Sequence, residues 1–447
     1  MADHGTSRIL GAMRIPVTAA ALIALILAVP AATAGDAPES LTGVDLRGEH
    51  ADRRAALAAV LPPGSIALCP ALPHDPWSTF SIRPDENFLW LTGLDESNGI
   101  LLVSPPRRKG AERGELLLLP ARNARMENWI GPRAYPGKEA EESLGVAATA
   151  DVRELETVLA ERLRGVKTVY LPRRGPAAEH VEKLAGAFLE KAKVALEDLA
   201  PVLGQLRLRK SPEELARIRR SAELSAEGHV RAIRATRAGM AEYEIQAVME
   251  AACRAGGARR QAYDSIVGSG PNSCVLHYGR NRRILEDGDL VLMDAGAEML
   301  GYACDVTRTW PVGARFSEEQ ARAYDVVLAA QAAGIEAAKP GATFKDITRA
   351  CRKVIDDAGY GDAWAHGPCH WVGLGVHDPN GDNPLEPGVV FVIEPGLYFP
   401  GKGFGIRIED TFAMAEDGTL DCLSAGVPKE RKAIEALRAE GLATTPR

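Results

Sequence analysis

The chain has 447 residues, 46% of them hydrophobic and 25% charged, with a formal net charge of -7. That is a globular composition, and it excludes a disordered, collagenous or polytopic membrane chain. A mild acidic excess without a long Lys/Arg block argues against nucleic acid or an anionic membrane as partner, because both need concentrated positive charge, and leaves a small molecule or peptide.

At the N-terminus Arg8 and Arg14 precede an apolar run from Ile15 to Val29, too short to span a membrane comfortably. Pro30 breaks it, and Ala32-Thr33-Ala34 before Gly35 supplies the small residues a signal peptidase needs. Residues 1–34 are therefore expected to be a secretory signal. The protein would be periplasmic or secreted, with no stable membrane association after cleavage; a retained single-pass anchor is the alternative. The seven cysteines, at positions 69, 253, 274, 304, 351, 369 and 422, are odd in number and lack paired spacing, so they form no disulfide framework.

At roughly 150 residues per domain the length allows about three domains or two unequal ones. From Leu41 to about Leu203 short apolar runs alternate with helical patterns. Phe88–Leu91, Gly99–Val103, Leu116–Leu119 and Val166–Leu171 read as strands; Ala51–Leu61, Ala140–Leu144, Val152–Leu163 and Ala178–Lys193 read as helices. This predicts a small α/β domain with a mixed sheet over residues 35–204. Pro105–Gly110 reads as a solvated hairpin loop. A boundary is expected near Pro201–Leu208, after which Ser211-Pro212-Glu213-Glu214 carries a capping signature and opens a second domain, 205–447. Lys429–Glu440 reads as a closing surface helix.

The second domain holds the chemistry. Asp294 ends the apolar run Leu290–Met293, and Asp305 sits in the alternating stretch Tyr302–Trp310; a tight connection near Gly301 would bring both carboxylates to one face. Glu394 ends Val389–Ile393, and Glu409 lies two residues after Arg407, on the same strand face. His277, His366, His370 and His377 stand near these acids in the sequence. A lone strand Asp often just pairs with an arginine such as Arg308 or Arg407. Four acids in apolar strands would need four separate compensations, whereas a shared cation centre answers all of them. Four carboxylates with one imidazole form a hard, oxygen-rich set that suits two divalent ions, Mn ahead of Co, Zn or Fe, about 3.5–4 Å apart. A mixed thiolate site through Cys304 or Cys369 is the alternative, but in a strand Cys304 would point away from Asp305.

The series MDAGAE with Asp294, DVTRTWPV with Asp305, HGPCHWVGLGVHD with His370, IEPGLY with Glu394 and RIED with Glu409 resembles the creatinase-like pita-bread metallopeptidases, and within them the aminopeptidase P (Xaa-Pro aminopeptidase) family. The likeness extends through NFLWLTG and NWIGPR in the first domain and LRLRKSPEELARIRRSAE in the second. It implies a C-terminal pita-bread domain after the small α/β domain, in an α/β (α+β) chain. By the resemblance Asp294 would chelate one metal, His370 and Glu394 the other, and Asp305 and Glu409 would bridge them. A bridging hydroxide would attack the carbonyl before proline in peptides with proline at position two, with Glu394 as proton shuttle. His277 and His377 would contact substrate and the tetrahedral intermediate, His366 would line the proline side, and Arg407 would support the site. A homo-oligomer, dimer or tetramer, is implied too. Two other readings stay open at this point: prolidase, which shares the ligands and splits Xaa-Pro dipeptides, and a non-catalytic pita-bread module that binds peptides.

Overall fold

Apolar runs buried on both faces build the first sheet. Its strands are β1 (Ser65–Pro70), β2 (Ile100–Ser104), β3 (Gly114–Leu119), β4 (Thr149–Asp151), β5 (Thr168–Leu171) and β6 (Ala195–Asp198), in the order β4-β3-β2-β1-β5-β6. β2 is antiparallel to β1 and β3, while β1–β5, β5–β6 and β3–β4 run parallel, which makes the sheet mixed as expected. Successive side chains point to opposite faces. Ile66, Leu68, Ile100, Leu102, Leu116 and Leu118 therefore pack on Leu155, Leu159, Val181 and Leu189 of the helices Leu155–Arg162 and Gly175–Ala192. Ala67, Cys69, Leu101, Val103, Leu117 and Leu119 face the other way, into a core that also holds Ile218, Val306, Val390 and Val392. The sheet and the strands that carry the acids thus share one apolar layer.

This computed structural model describes residues 46–73, 85–95, 98–106, 114–379 and 381–444. Segment 45–447 forms a single compact unit. The expected signal, 1–34, and most of the Pro105–Gly110 loop lie outside the described residues. Among the described residues no helix is long and apolar enough to cross a membrane, and all seven cysteines are free.

One expectation fails in this half. Phe88–Leu91 is part of a helix, Glu86–Thr92, not a strand. Asp85 caps it by accepting from the Phe88 amide at 2.9 Å, and Gly93 ends it in the left-handed region at φ 73°. A short apolar run buried on all sides has no diagnostic period, so the caps decide its geometry. The segment at the expected boundary, Ala200–Leu208, is a helix.

The second half opens as anticipated. Ser211 Oγ accepts from the Glu214 amide, and the Glu214 carboxylate accepts from the Ser211 amide, closing the capping box of helix Pro212–Ala235. Its strands are β7 (Arg260–Gln261), β8 (Ile266–Ser269), β9 (Leu290–Asp294), β10 (Ala297–Met299), β11 (Tyr302–Ala303), β12 (Thr307–Pro311), β13 (Val390–Ile393), β14 (Gly396–Phe399), β15 (Phe404–Arg407), β16 (Asp410–Met414) and β17 (Leu420–Cys422). They form four small sheets, β12-β9-β8, β11-β10-β7, β13-β16-β17 and β14-β15. The expected single strand Tyr302–Trp310 is split, and Asp305 lies in the gap between β11 and β12. In this gap the Gly296 backbone passes against the Cys304 carbonyl, where a Cβ would stand 1.8 Å from that oxygen. Glu409 likewise falls between β15 and β16 rather than on one strand with Arg407.

Candidate metal centre

Each acid stands at or just beyond a strand end, and the four ends converge. In the antiparallel pair β9–β12, Asp294 lies opposite Thr307, two residues after Asp305. The Tyr263 hydroxyl ties the two acids together, 2.6 Å from Asp294 Oδ1 and 2.5 Å from Asp305 Oδ1. Asp305, His370 and Glu409 each bring a ligand atom within 4.8 Å of the others. His370 Nε2 lies 3.4 Å from Asp305 Oδ2, 3.6 Å from Glu394 Oε1 and 3.9 Å from Glu409 Oε1. His370 Nδ1 is 3.2 Å from the Trp371 carbonyl, which can only accept, so Nδ1 carries the hydrogen and Nε2 is turned toward the acids.

Arg407 organises the other side. It donates to Asp294 Oδ2 at 2.6 Å, to the Tyr398 hydroxyl at 3.0 Å, to Thr307 Oγ1 at 3.1 Å and to the Leu276 carbonyl, beside His277, at 3.4 Å. The Thr307 hydroxyl donates in turn to Glu409 Oε2 at 2.7 Å. The Tyr398 hydroxyl therefore accepts from Arg407 and donates to His366 Nε2 at 2.8 Å, while His366 Nδ1 donates to the Gly367 carbonyl. His377 stacks on His370 with ring centroids 3.9 Å apart and planes within 10°. His277 is exposed, close enough to act electrostatically on His366 and His377.

Burial opposes charge on His370, yet its hydrogen bond and attraction to Asp305 outweigh this and raise its pKa to about 9. Burial also pushes Glu394 up to about 7, against the pull of His370 and Arg407, and lifts Asp294. Burial and the neighbouring Asp305 and Glu394 drive Glu409 well above the ordinary carboxylate range. These shifts share one cause, surplus negative charge in a buried space. Glu409 Oε1 is buried without a hydrogen-bond partner among the described residues. An oxygen-rich pocket with surplus negative charge and an orphaned carboxylate oxygen fits divalent cations.

Asp294 does pair with Arg407, as a structural acid would, but Arg308 is committed to Asp410 at 2.6 Å and to neighbouring carbonyls. The group among the described residues able to hold a metal contains no cysteine: Cys304 Sγ contacts Thr411 Oγ1, and burial raises the Cys304 and Cys369 thiols well above the ordinary range. Reading residues one by one missed Tyr263, Thr307, Tyr398 and Thr411, whose hydroxyl grips the Asp305 backbone. Register is the signal that could have found Tyr263. It precedes β8 by three residues, and Ile266 pairs with Asp294.

The family model for metallopeptidase family M24 matches residues 216–416, and that for the aminopeptidase P N-terminal domain matches 50–170. The Xaa-Pro aminopeptidase of Escherichia coli (strain K12) is 34% identical over 88% of this chain and 97% of its own length. The chain belongs to metallopeptidase family M24. The human Xaa-Pro aminopeptidase 3 is 31% identical over 80% of this chain and 77% of its own. The M24 fold is matched by aminopeptidase P from E. coli with the inhibitor Pro-Leu, at TM-score 0.81 and 32% identity, covering 89% of this chain and 99% of that one. A zinc-substituted E. coli aminopeptidase P in complex with product matches at the same TM-score over 90% and 99%. As an M24 metallopeptidase the chain works with divalent ions. Its pita-bread architecture is that of aminopeptidase P, and these relatives do not favour the prolidase alternative.

Proposed function

We propose that this M24 chain is a dimetal Xaa-Pro aminopeptidase, releasing the first residue of peptides whose second residue is proline. The observation that carries the reading is the meeting of Asp294, Asp305, Glu394, Glu409 and the His370 imidazole at the ends of otherwise apolar strands. Asp294 would hold one ion, His370 and Glu394 the other, and Asp305 and Glu409 both. When bound, the ions supply a hydroxide nucleophile at neutral pH and polarise the scissile carbonyl.

The other steps fall to the chain's own side chains. Glu394 lies beside His370 and is placed to take a proton and pass it to the proline nitrogen, which has no N–H in the peptide and must be protonated to leave. His377 and His277 are the donors available to the developing oxyanion. His366, fixed by Tyr398, lines the proline side. The acidic edge at Asp294 suits the substrate's free α-amine, which makes the enzyme an exopeptidase. Arg407 pairs with Asp294, offsetting part of the burial that lifts its pKa, and braces the loop that carries His277.

The reading extends to Mn as the metal, favoured by the oxygen-rich ligand set over Co, Zn or Fe. It includes export to the periplasm or beyond, supported by the run Ile15–Val29 and Ala32-Thr33-Ala34 with removal of residues 1–34. It also includes an N-terminal domain 35–204, a catalytic domain 205–447 and a homo-oligomer of two or four subunits. The test is hydrolysis of an Xaa-Pro-Xaa tripeptide beside the matching Xaa-Pro dipeptide, on protein stripped by chelator and reloaded with Mn. Tripeptide cleavage restored by Mn is expected. Restored cleavage of the dipeptide alone would make it a prolidase, and silence on both with Mn bound would leave the peptide-binding module.

A further inference from the structure

Behind the centre, on the side of the N-terminal half, lies a buried ionic cluster that the proposed chemistry does not use. Arg207, on helix Ala200–Leu208, is 2% exposed. It donates to Asp378 Oδ1 at 2.5 Å, to Glu86 Oε2 at 2.9 Å and to Asn87 Oδ1 at 2.7 Å. Lys210 Nζ stands 3.4 Å from Asp378 Oδ2 and donates to the Leu208 carbonyl. Two cations from the segment joining the two halves thus hold one carboxylate, and Glu86 and Asn87, on the short N-terminal helix, hold Arg207 from behind.

Asp378 is the residue after His377, and it closes the turn that begins at His370. Its amide donates to the Trp371 carbonyl at 2.9 Å, and its Oδ1 accepts from the Gly375 amide at 3.0 Å. The turn is drawn tight around this carboxylate: a Cβ at Gly373 would stand 2.6 Å from Asp378 Oδ2. The outcome is the His377 ring lying flat on His370. Burying this cluster costs desolvation that apolar side chains of similar size would avoid; what an ionic clamp gives in return is one defined position.

We propose that Arg207, assisted by Lys210, is a positioning residue for His377. Its guanidinium pins Asp378, fixes the Trp371–Asp378 turn and so sets the His377 imidazole over the metal centre. Through Glu86 and Asn87 the N-terminal half holds this turn from outside the catalytic half. The inference rests on the reading in which His377 faces the reacting carbonyl.

A double-mutant cycle on Mn-saturated enzyme with a tripeptide substrate tests it, using Arg207→Met, His377→Ala and the pair. Arg207→Met is expected to lower kcat about 10- to 100-fold with KM within about threefold, since a misplaced group loses transition-state contact rather than binding. In the His377→Ala background the same change is expected to cost less than about twofold. Arg207→Lys, which keeps the charge, is expected to recover part of the loss. A wild-type kcat in Arg207→Met, or an equal loss in both backgrounds, overturns the inference while leaving the peptidase reading intact. If Arg207→Met does not fold, Glu86→Gln carries the same cycle: a smaller loss that vanishes without His377 supports the clamp, and an equal loss in both backgrounds overturns it. An unchanged kcat in His377→Ala removes the premise and overturns the role given to that histidine as well.

Discussion

The six-stranded N-terminal sheet and the four small C-terminal sheets solve opposite problems with the same kind of sequence. In the first, apolar runs stay inside their strands, and both faces bury aliphatic side chains against helices or the second half. In the second, the runs stop at an acid each time, at Asp294 and Glu394, and Asp305 and Glu409 fill gaps between strands. A long sheet would spread such ends along an edge. Two- and three-stranded sheets let them converge, so the second region concentrates charge where the first excludes it. Stability is therefore expected to reside in the first kind of packing and activity in the second.

The sharpest way to break that contrast is to remove an acid. Glu409→Ala is expected to lower turnover by more than about 100-fold, beyond what loss of a residue merely supporting a metal ligand costs. Stability without metal should not fall, because Glu409 is crowded by Asp305 and Glu394; the rise in Tm on adding Mn should largely disappear. Asp305→Ala should behave similarly in activity. Retained turnover in either variant at full metal content would sink the site.

The converse change is Leu102→Ala. Leu102 is fully buried on the sheet face turned away from the catalytic half. A loss of about 2–5 kcal/mol in urea unfolding is expected, with kcat per folded molecule unchanged. A fall in kcat at full folding would mean that the sheet does more than support.

A pH experiment probes the seam between the regions. Burial, with Arg53 nearby, lowers the pKa of His50 from 6.5 to about 4, partly offset by its bond to the Trp90 carbonyl. The unfolded chain takes up this proton below about 6.5 and the folded chain not until about 4. Folding stability is thus full above the upper value and declines as pH falls through that window, by about 3 kcal/mol at most. His50→Asn should flatten that part of the pH profile of unfolding; an unchanged slope would remove His50 as its source.

The smallest expected effect is that of Tyr263→Phe, which deletes the hydroxyl shared by Asp294 and Asp305 without changing shape. Mn affinity, measured by titration into chelator-treated protein, should weaken about 10- to 100-fold. Unaltered affinity would show that the two acids hold their places without it.

The acids and the four histidines were legible before any folding because each offends locally. An acid that ends a Val/Ile/Leu run is costly unless something compensates it, and that cost is a property of the chain alone. The capping box at Ser211 was legible for a related reason, since its partners are three residues apart. The helix Glu86–Thr92 was not: four consecutive apolar residues suit a buried helix and a buried strand equally, and only Asp85 and Gly93 choose between them. Tyr263, Thr307, Tyr398 and Thr411 gave no local signal, because tyrosines and threonines in strands are ordinary.

What the sequence by itself determined was therefore the charge inventory of the centre, four acids at the ends of apolar runs with a nearby histidine, together with the apolar runs of the first sheet. Tertiary structure alone decided their mutual distances. It did so through the close pass of Gly296 against Cys304, the register of β9 on β12, and hydroxyl and guanidinium bridges between residues 31 to 113 positions apart. Composition and periodicity act over one or two turns of chain, whereas a metal centre is made of strand ends that meet only after the sheets have packed.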